Sequence, residues 1–130
     1  DFELEQFIPI MKMRGVDIYI LQHEDPKKQI QNLPKGLNVI NVGKDFSSFE
    51  DTAAAIKNMD LVISTDNVIL NLAGALGVKT YGLFNKFTEY RWFDLSGDDV
   101  KWYKSVKPYQ TKDMNIWKDV IAKVKKDIKN

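Results

Sequence analysis

Residues 61–77 read LVISTDNVILNLAGALG. The first four positions are apolar or small, with β-branched Val62 and Ile63 among them, as in a strand buried on both faces. Thr65 and Asp66 interrupt the apolar run. From Asn67 onward Val68, Ile69, Leu72, Ala73 and Leu76 recur at helical spacing, and Gly77 supplies a residue that tolerates the left-handed conformation after a helix end. A strand over 61–64, a polar turn and a helix over 67–76 make half of a βαβ unit, with the turn at the carboxyl end of its strand.

The same alternation extends outward from this stretch. Residues 3–13 carry Leu4, Phe7, Ile8 and Met11 at helical spacing and stop before Gly15. Residues 16–21 (VDIYIL) form the pattern of a second strand covered on both faces. Pro26, Pro34 and Gly36 bracket a polar connection expected to hold a short helix, and 38–42 (NVINV) reads as a strand ending at Gly43. Ser48 is placed to cap a helix over 48–59, with Asp51 in its first turn and Phe49, Ala53, Ile56 and Met59 on or near one face. On the other side, 80–84 (TYGLF) is a strand, followed by an aromatic, charged loop through Tyr90, Arg91, Trp92, Trp102 and Tyr103 and a weaker strand over 105–110. A last helix over 113–128 is expected to bury Ile116, Trp117, Val120, Ile121 and Val124, with Lys123, Lys125, Lys126 and Lys129 toward its negative end. Alternating strands and helices with short connections predict a single α/β domain over 1–130. Its expected form is Rossmann-like, a mostly parallel sheet with helices on both faces and right-handed crossovers.

Composition narrows the function classes. A chain of 130 residues with 44% apolar and 28% charged residues can bury one core, which excludes a disordered or fibrous protein. A net charge of +1 provides no field for nucleic acid. The absence of cysteine removes disulfides and thiolate zinc sites, and one histidine is too few for an ordinary metal centre, so neither metal nor cofactor is expected. Apolar runs are too short to span a membrane and the start lacks a signal-peptide pattern, so the expected location is the cytoplasm. Of 19 basic residues only Arg14 and Arg91 are arginine, which makes Arg91 the natural candidate for a bidentate anion contact near the aromatic loop.

In an open parallel sheet, ligands bind beyond the carboxyl ends of the strands. The turn Ser64-Thr65-Asp66-Asn67 lies there and opens a helix whose first N–H groups lack intrahelical partners, so it suits a phosphate. Asp66 also suits the simpler role of capping its own helix. Asn71 falls one turn after Asn67 on the same side, and Gln22 and His23 end the strand at 16–21, on the same rim. Asp98 and Asp99 follow Gly97 in a turn, with no further ligands to make a magnesium site. Trp92, Trp102 and Tyr103 are read as a satellite core that fastens the loop, with a base-stacking surface as the alternative. No GxGxxG, P-loop, serine elbow or HExxH pattern occurs.

The run DTAAAIKNMDLVISTDNVILNLAGALG (51–77) resembles the C-terminal half of heptosyltransferase-like glycosyltransferases and of related bacterial tetratricopeptide-repeat proteins, which share the two-domain GT-B fold. Further points of likeness are ILQ at 20–22, the Asp51-Thr52-Ala53 helix start, LAGALG at 72–77, YRW at 90–92 and WY at 102–103. In that family a helix opening with Asp-Thr, and a histidine four or five residues later, meets the diphosphate of a nucleotide-activated sugar. Here Asp66 matches, whereas Asn67 stands in the threonine position and Asn71 in the histidine position. Asparagine can donate a hydrogen bond to phosphate but carries no charge and relays no proton.

The resemblance implies a nucleotide-sugar donor-binding domain, with Gln22, Thr65, Asp66, Asn67, Val68, Asn71 and Arg91 toward a nucleotide-diphosphate sugar. No catalytic base is identifiable. The alternative is a catalytically degenerate GT-B-like domain with a scaffolding or protein-association role, and a generic mononucleotide-binding α/β protein is a third. The resemblance also implies that 1–130 is a fragment of a longer protein, not active alone, that begins after the first strand of the GT-B C-terminal domain. That strand would lie between 16–21 and 61–64. The resulting expectations are that those two strands pair directly, that a missing N-terminal segment fills the place, or that another chain does so in an oligomer.

Overall fold

The computed structural model describes residues 4–22, 28–37, 39–65, 68–85, 103–113 and 116–129. Its strands are β1 (Ile18–Ile20), β2 (Val39–Asn41), β3 (Val62–Thr65), β4 (Thr80–Phe84) and β5 (Val106–Gln110). Its α-helices are α1 (Ile8–Met11), α2 (Phe49–Lys57), α3 (Val68–Ala75) and α4 (Lys118–Lys129), with 3-10 turns at Leu4–Phe7 and Gly43–Asp45. All strand pairs are parallel, and they form two sheets, β1-β2 and β3-β4-β5.

Helices cover both faces of the larger sheet. Alternate residues of a strand point to opposite sides, so Leu61 and Ile63 share one face and Val62 the other. On the first face Ile10 of α1 and Val120, Ile121 and Val124 of α4, with Trp117, pack on Tyr81, Leu83 and Tyr109. On the second, Ile56 of α2 and Ala73 of α3 pack on Val62, while Leu70 joins Phe84, Val106 and Tyr103. β4, central in its sheet, is buried along its whole length. Pro108, which has no N–H to give a neighbour, sits in the edge strand β5.

Several elements depart from the sequence pattern for identifiable reasons. The helix expected over 3–13 is a 3-10 turn followed by a single α-turn, and Pro9 stands at the changeover because it has no N–H for the α-helical ladder. Among the described residues 28–37 there is no helix. They form turns, with Asn32 N–H donating to the Lys28 carbonyl at 3.2 Å before Pro34, whose ring disfavours helix at the residue ahead of it. The strand at 16–21 shortens to three residues, and Tyr19, paired in register with Ile40, is exposed like its partner.

The ends of helices behave similarly. Ser48 caps α2, its hydroxyl accepting from Asp51 N–H at 3.2 Å, but Phe49, expected on the packed face, is 61% exposed. In α3 the expected stripe holds at Ile69, Leu72, Ala73 and Leu76, which pack with Ile56 and Val62, whereas Val68 is 68% exposed and Leu70, outside the stripe, is fully buried. α4 begins at Lys118, which leaves Ile116 exposed and Trp117 as the first buried residue.

Candidate functional site

The two sheets do not join. β1 has β2 as its strand neighbour and β3 has β4, and a cleft of about 300 Å³ lies between β1 and β3. It is lined by consecutive residues 17–22 and 61–65, by Phe7, Ile10 and Met11 on one side and by Met59 and Ile69 on the other. Among the described residues β1 and β3 are not paired, which corrects the expectation of direct pairing: the apolar side chains of both faces line a gap between the two strands instead.

Gln22, just after β1, and Thr65, the last residue of β3, both line the cleft. Gln22 follows β1, and its position is fixed by a close backbone approach. Gly43 is buried at the end of β2, and a β-carbon there would collide with the Gln22 carbonyl and the Leu21 backbone. Thr65 ends β3 and is half-buried, and its carbonyl accepts from the Ser64 hydroxyl at 2.9 Å. Val68 opens α3 with its side chain largely exposed, and Asn71 is exposed one turn later on the same helix. Asp66, Asn67 and Arg91 lie outside the described residues, as do His23, Trp92, Trp102, Asp98 and Asp99. Tyr103 is described, and it packs against Gly74 of α3 and the cluster of Leu70, Phe84 and Val106.

Two polar residues of the cleft escape the sequence pattern. Ser64 is buried and lines it, as the last residue of the strand expected over 61–64, but the sequence does not single it out as a site residue. Gln29 also lines it and accepts the Leu4 N–H at 2.5 Å across 25 residues of sequence, a contact for which no local signal exists. Asp17 is the charged residue in the described lining, and no cation stands there. A diphosphate at this rim would therefore depend on backbone N–H groups and on a cation from elsewhere in the chain, the place the sequence assigns to Arg91. Among the described residues, no group of three acidic, histidine or cysteine side chains could hold a metal ion, and no helix is long and apolar enough to cross a membrane.

The fold and the cleft define an α/β protein with parallel strands, helices on both faces of its larger sheet and a crevice between β1 and β3. Over 123 residues the chain is 28% identical to Protein FlbA of Caulobacter vibrioides, an alignment that takes in 89% of this chain. The chain spans 20% of the length of that protein. No family model and no solved structure matches the sequence.

Proposed function

We propose that this domain binds the nucleotide-diphosphate end of an activated sugar, as the donor-side half of a GT-B glycosyltransferase-like protein. The observation that carries this reading is the convergence of Gln22 and Thr65 on one cleft at the carboxyl ends of parallel strands, directly before the start of α3. Thr65, Asp66, Asn67, Val68 and Asn71 hold the phosphates, Gln22 lines the pocket and Arg91 supplies positive charge. In a transfer reaction an acceptor hydroxyl attacks the anomeric carbon as the bond to the diphosphate breaks, and donors aimed at the departing diphosphate lower the barrier. The base that takes the hydroxyl proton comes from outside these residues.

The test is a thermal-shift titration with uridine, guanosine and adenosine diphosphates and their sugar conjugates. A ligand that binds only the native state at a hundredfold excess over Kd stabilises it by about 2.7 kcal/mol, and Asp66→Ala should abolish that shift. Absence of a shift with every nucleotide at millimolar concentration favours the association role instead, in keeping with the uncharged Asn71 in the imidazole position.

A further inference from the structure

We propose that the amino end of the larger sheet carries a second ligand site, a cavity at β4 and β5 that binds a dianionic phosphate group, free or on a small molecule. It lies at the opposite end of the strands from Gln22 and Thr65 and does not depend on the nucleotide reading. The cavity, about 660 Å³ in volume, is lined by residues 77, 79–81 and 104–108.

Strand register assembles it. Thr80 pairs with Val106 and Tyr81 with Lys107, and Thr80 N–H donates to the Ser105 carbonyl at 2.9 Å, which sets Lys79 beside Ser105. Side chains alternate along a strand, so Lys79 and Tyr81 project from the same face as Ser105 and Lys107. An aromatic ring steadies each of the two lysines: Lys79 Nζ stands 5.6 Å from the Tyr81 ring centroid and Lys107 Nζ 5.3 Å from that of Tyr109. Lys104, in the turn before β5, adds a third ammonium group to the lining.

Most of this charge is uncompensated. Lys107 is paired with Asp127 at 2.9 Å, and the same carboxylate oxygen accepts the Tyr109 hydroxyl. Among the described residues neither Lys79 nor Lys104 has a carboxylate partner. Ser105 is the independent sign of a ligand, because its hydroxyl oxygen is closed off from solvent and has no hydrogen-bond partner, a state that native proteins rarely leave without a reason. Thr80, by contrast, donates its hydroxyl to the Val78 carbonyl at 2.8 Å. Rotation about one side-chain bond turns the Ser105 hydroxyl into the cavity that this residue lines. Two unpaired ammonium groups and a hydroxyl without an acceptor call for a ligand made of acceptors and carrying about two negative charges. A phosphate group near neutral pH has both properties, whereas a carboxylate carries half the charge.

Equilibrium dialysis of the whole protein against radiolabelled inorganic phosphate, and separately against radiolabelled glycerol phosphate, tests the proposal at fixed ionic strength. Saturable binding should weaken about tenfold or more in the double variant Lys79→Gln, Lys104→Gln, since each loses a charge-assisted contact. Lys44→Gln, beyond the carboxyl end of β2, should leave it unchanged. Ser105→Ala should weaken binding while leaving the melting temperature unchanged or raised, because the hydroxyl removed has no partner. Tighter binding of glycerol phosphate would support the site with a phosphorylated small molecule as its ligand, and equal or tighter binding of inorganic phosphate would support it with the free ion. The proposal is overturned by no saturable binding of either probe, by an affinity indifferent to the double variant, or by an equal loss in Lys44→Gln. A lowered melting temperature in Ser105→Ala would also overturn it, by giving the hydroxyl a structural role.

Discussion

Tyr109 and Asp127 show how single side chains fasten the last helix. The Tyr109 hydroxyl donates to Asp127 at 2.5 Å and Lys107 Nζ reaches the same carboxylate oxygen at 2.9 Å, tying β5 to α4. The Tyr109 bond and then the lysine hold the Asp127 carboxyl below its ordinary range, while burial and that carboxylate push the Tyr109 phenol well above its own. A carboxyl whose folded value is depressed adds stability that is fully present above the ordinary carboxylate range and is lost as pH falls through the folded value. Asp127→Asn should therefore destabilise the protein more at pH 7 than at about pH 3, and Tyr109→Phe should cost about 1 kcal/mol at pH 7, both read by urea unfolding. Gly43 acts through space alone. Gly43→Ala forces β2 off the Gln22 backbone and should cost about 1–3 kcal/mol in the same measurement, with the Gln22 end of the cleft displaced. The capping role of Ser48 was legible in the sequence, since a hydroxyl before an apolar run satisfies the donors of a first turn by local geometry. The collision at Gly43 was not, because it depends on two strands meeting.

At the scale of the element, α3 is the instructive case. Periodicity placed Ile69, Leu72, Ala73 and Leu76 on the packed side, and the burial of Leu70 in addition, with Val68 left exposed, comes from Phe84, Val106 and Tyr103 elsewhere in the chain. Leu70→Ala should cost about 2–5 kcal/mol by thermal or chemical unfolding, whereas Val68→Ala should change stability by less than about 0.5 kcal/mol. A near-neutral Leu70→Ala would mean that α3 packs by another face. α4 carries the opposite lesson. Its charged positions separate cleanly from Val120, Ile121 and Val124, so its buried side was readable from spacing, and its start, expected at Asp113 and found at Lys118, was misplaced.

For the whole molecule the decisive feature is the break between the two sheets. A continuous sheet satisfies the backbone of every internal strand, whereas here a gap lined from both faces separates β1 from β3. The proposed nucleotide site occupies the carboxyl rim of that gap, and the titration reports on it. The sequence by itself determined the order of strands and helices, their parallel pairing and the stretch 61–77 as the junction of strand and helix, because apolar periodicity and local turn chemistry act over a few residues. Only the tertiary structure decided that β1 and β3 stand apart, that Gln29 reaches Leu4 and that Gln22 shares a cleft with Thr65, because those facts arise from contacts between segments far apart in the chain, to which local patterning is blind.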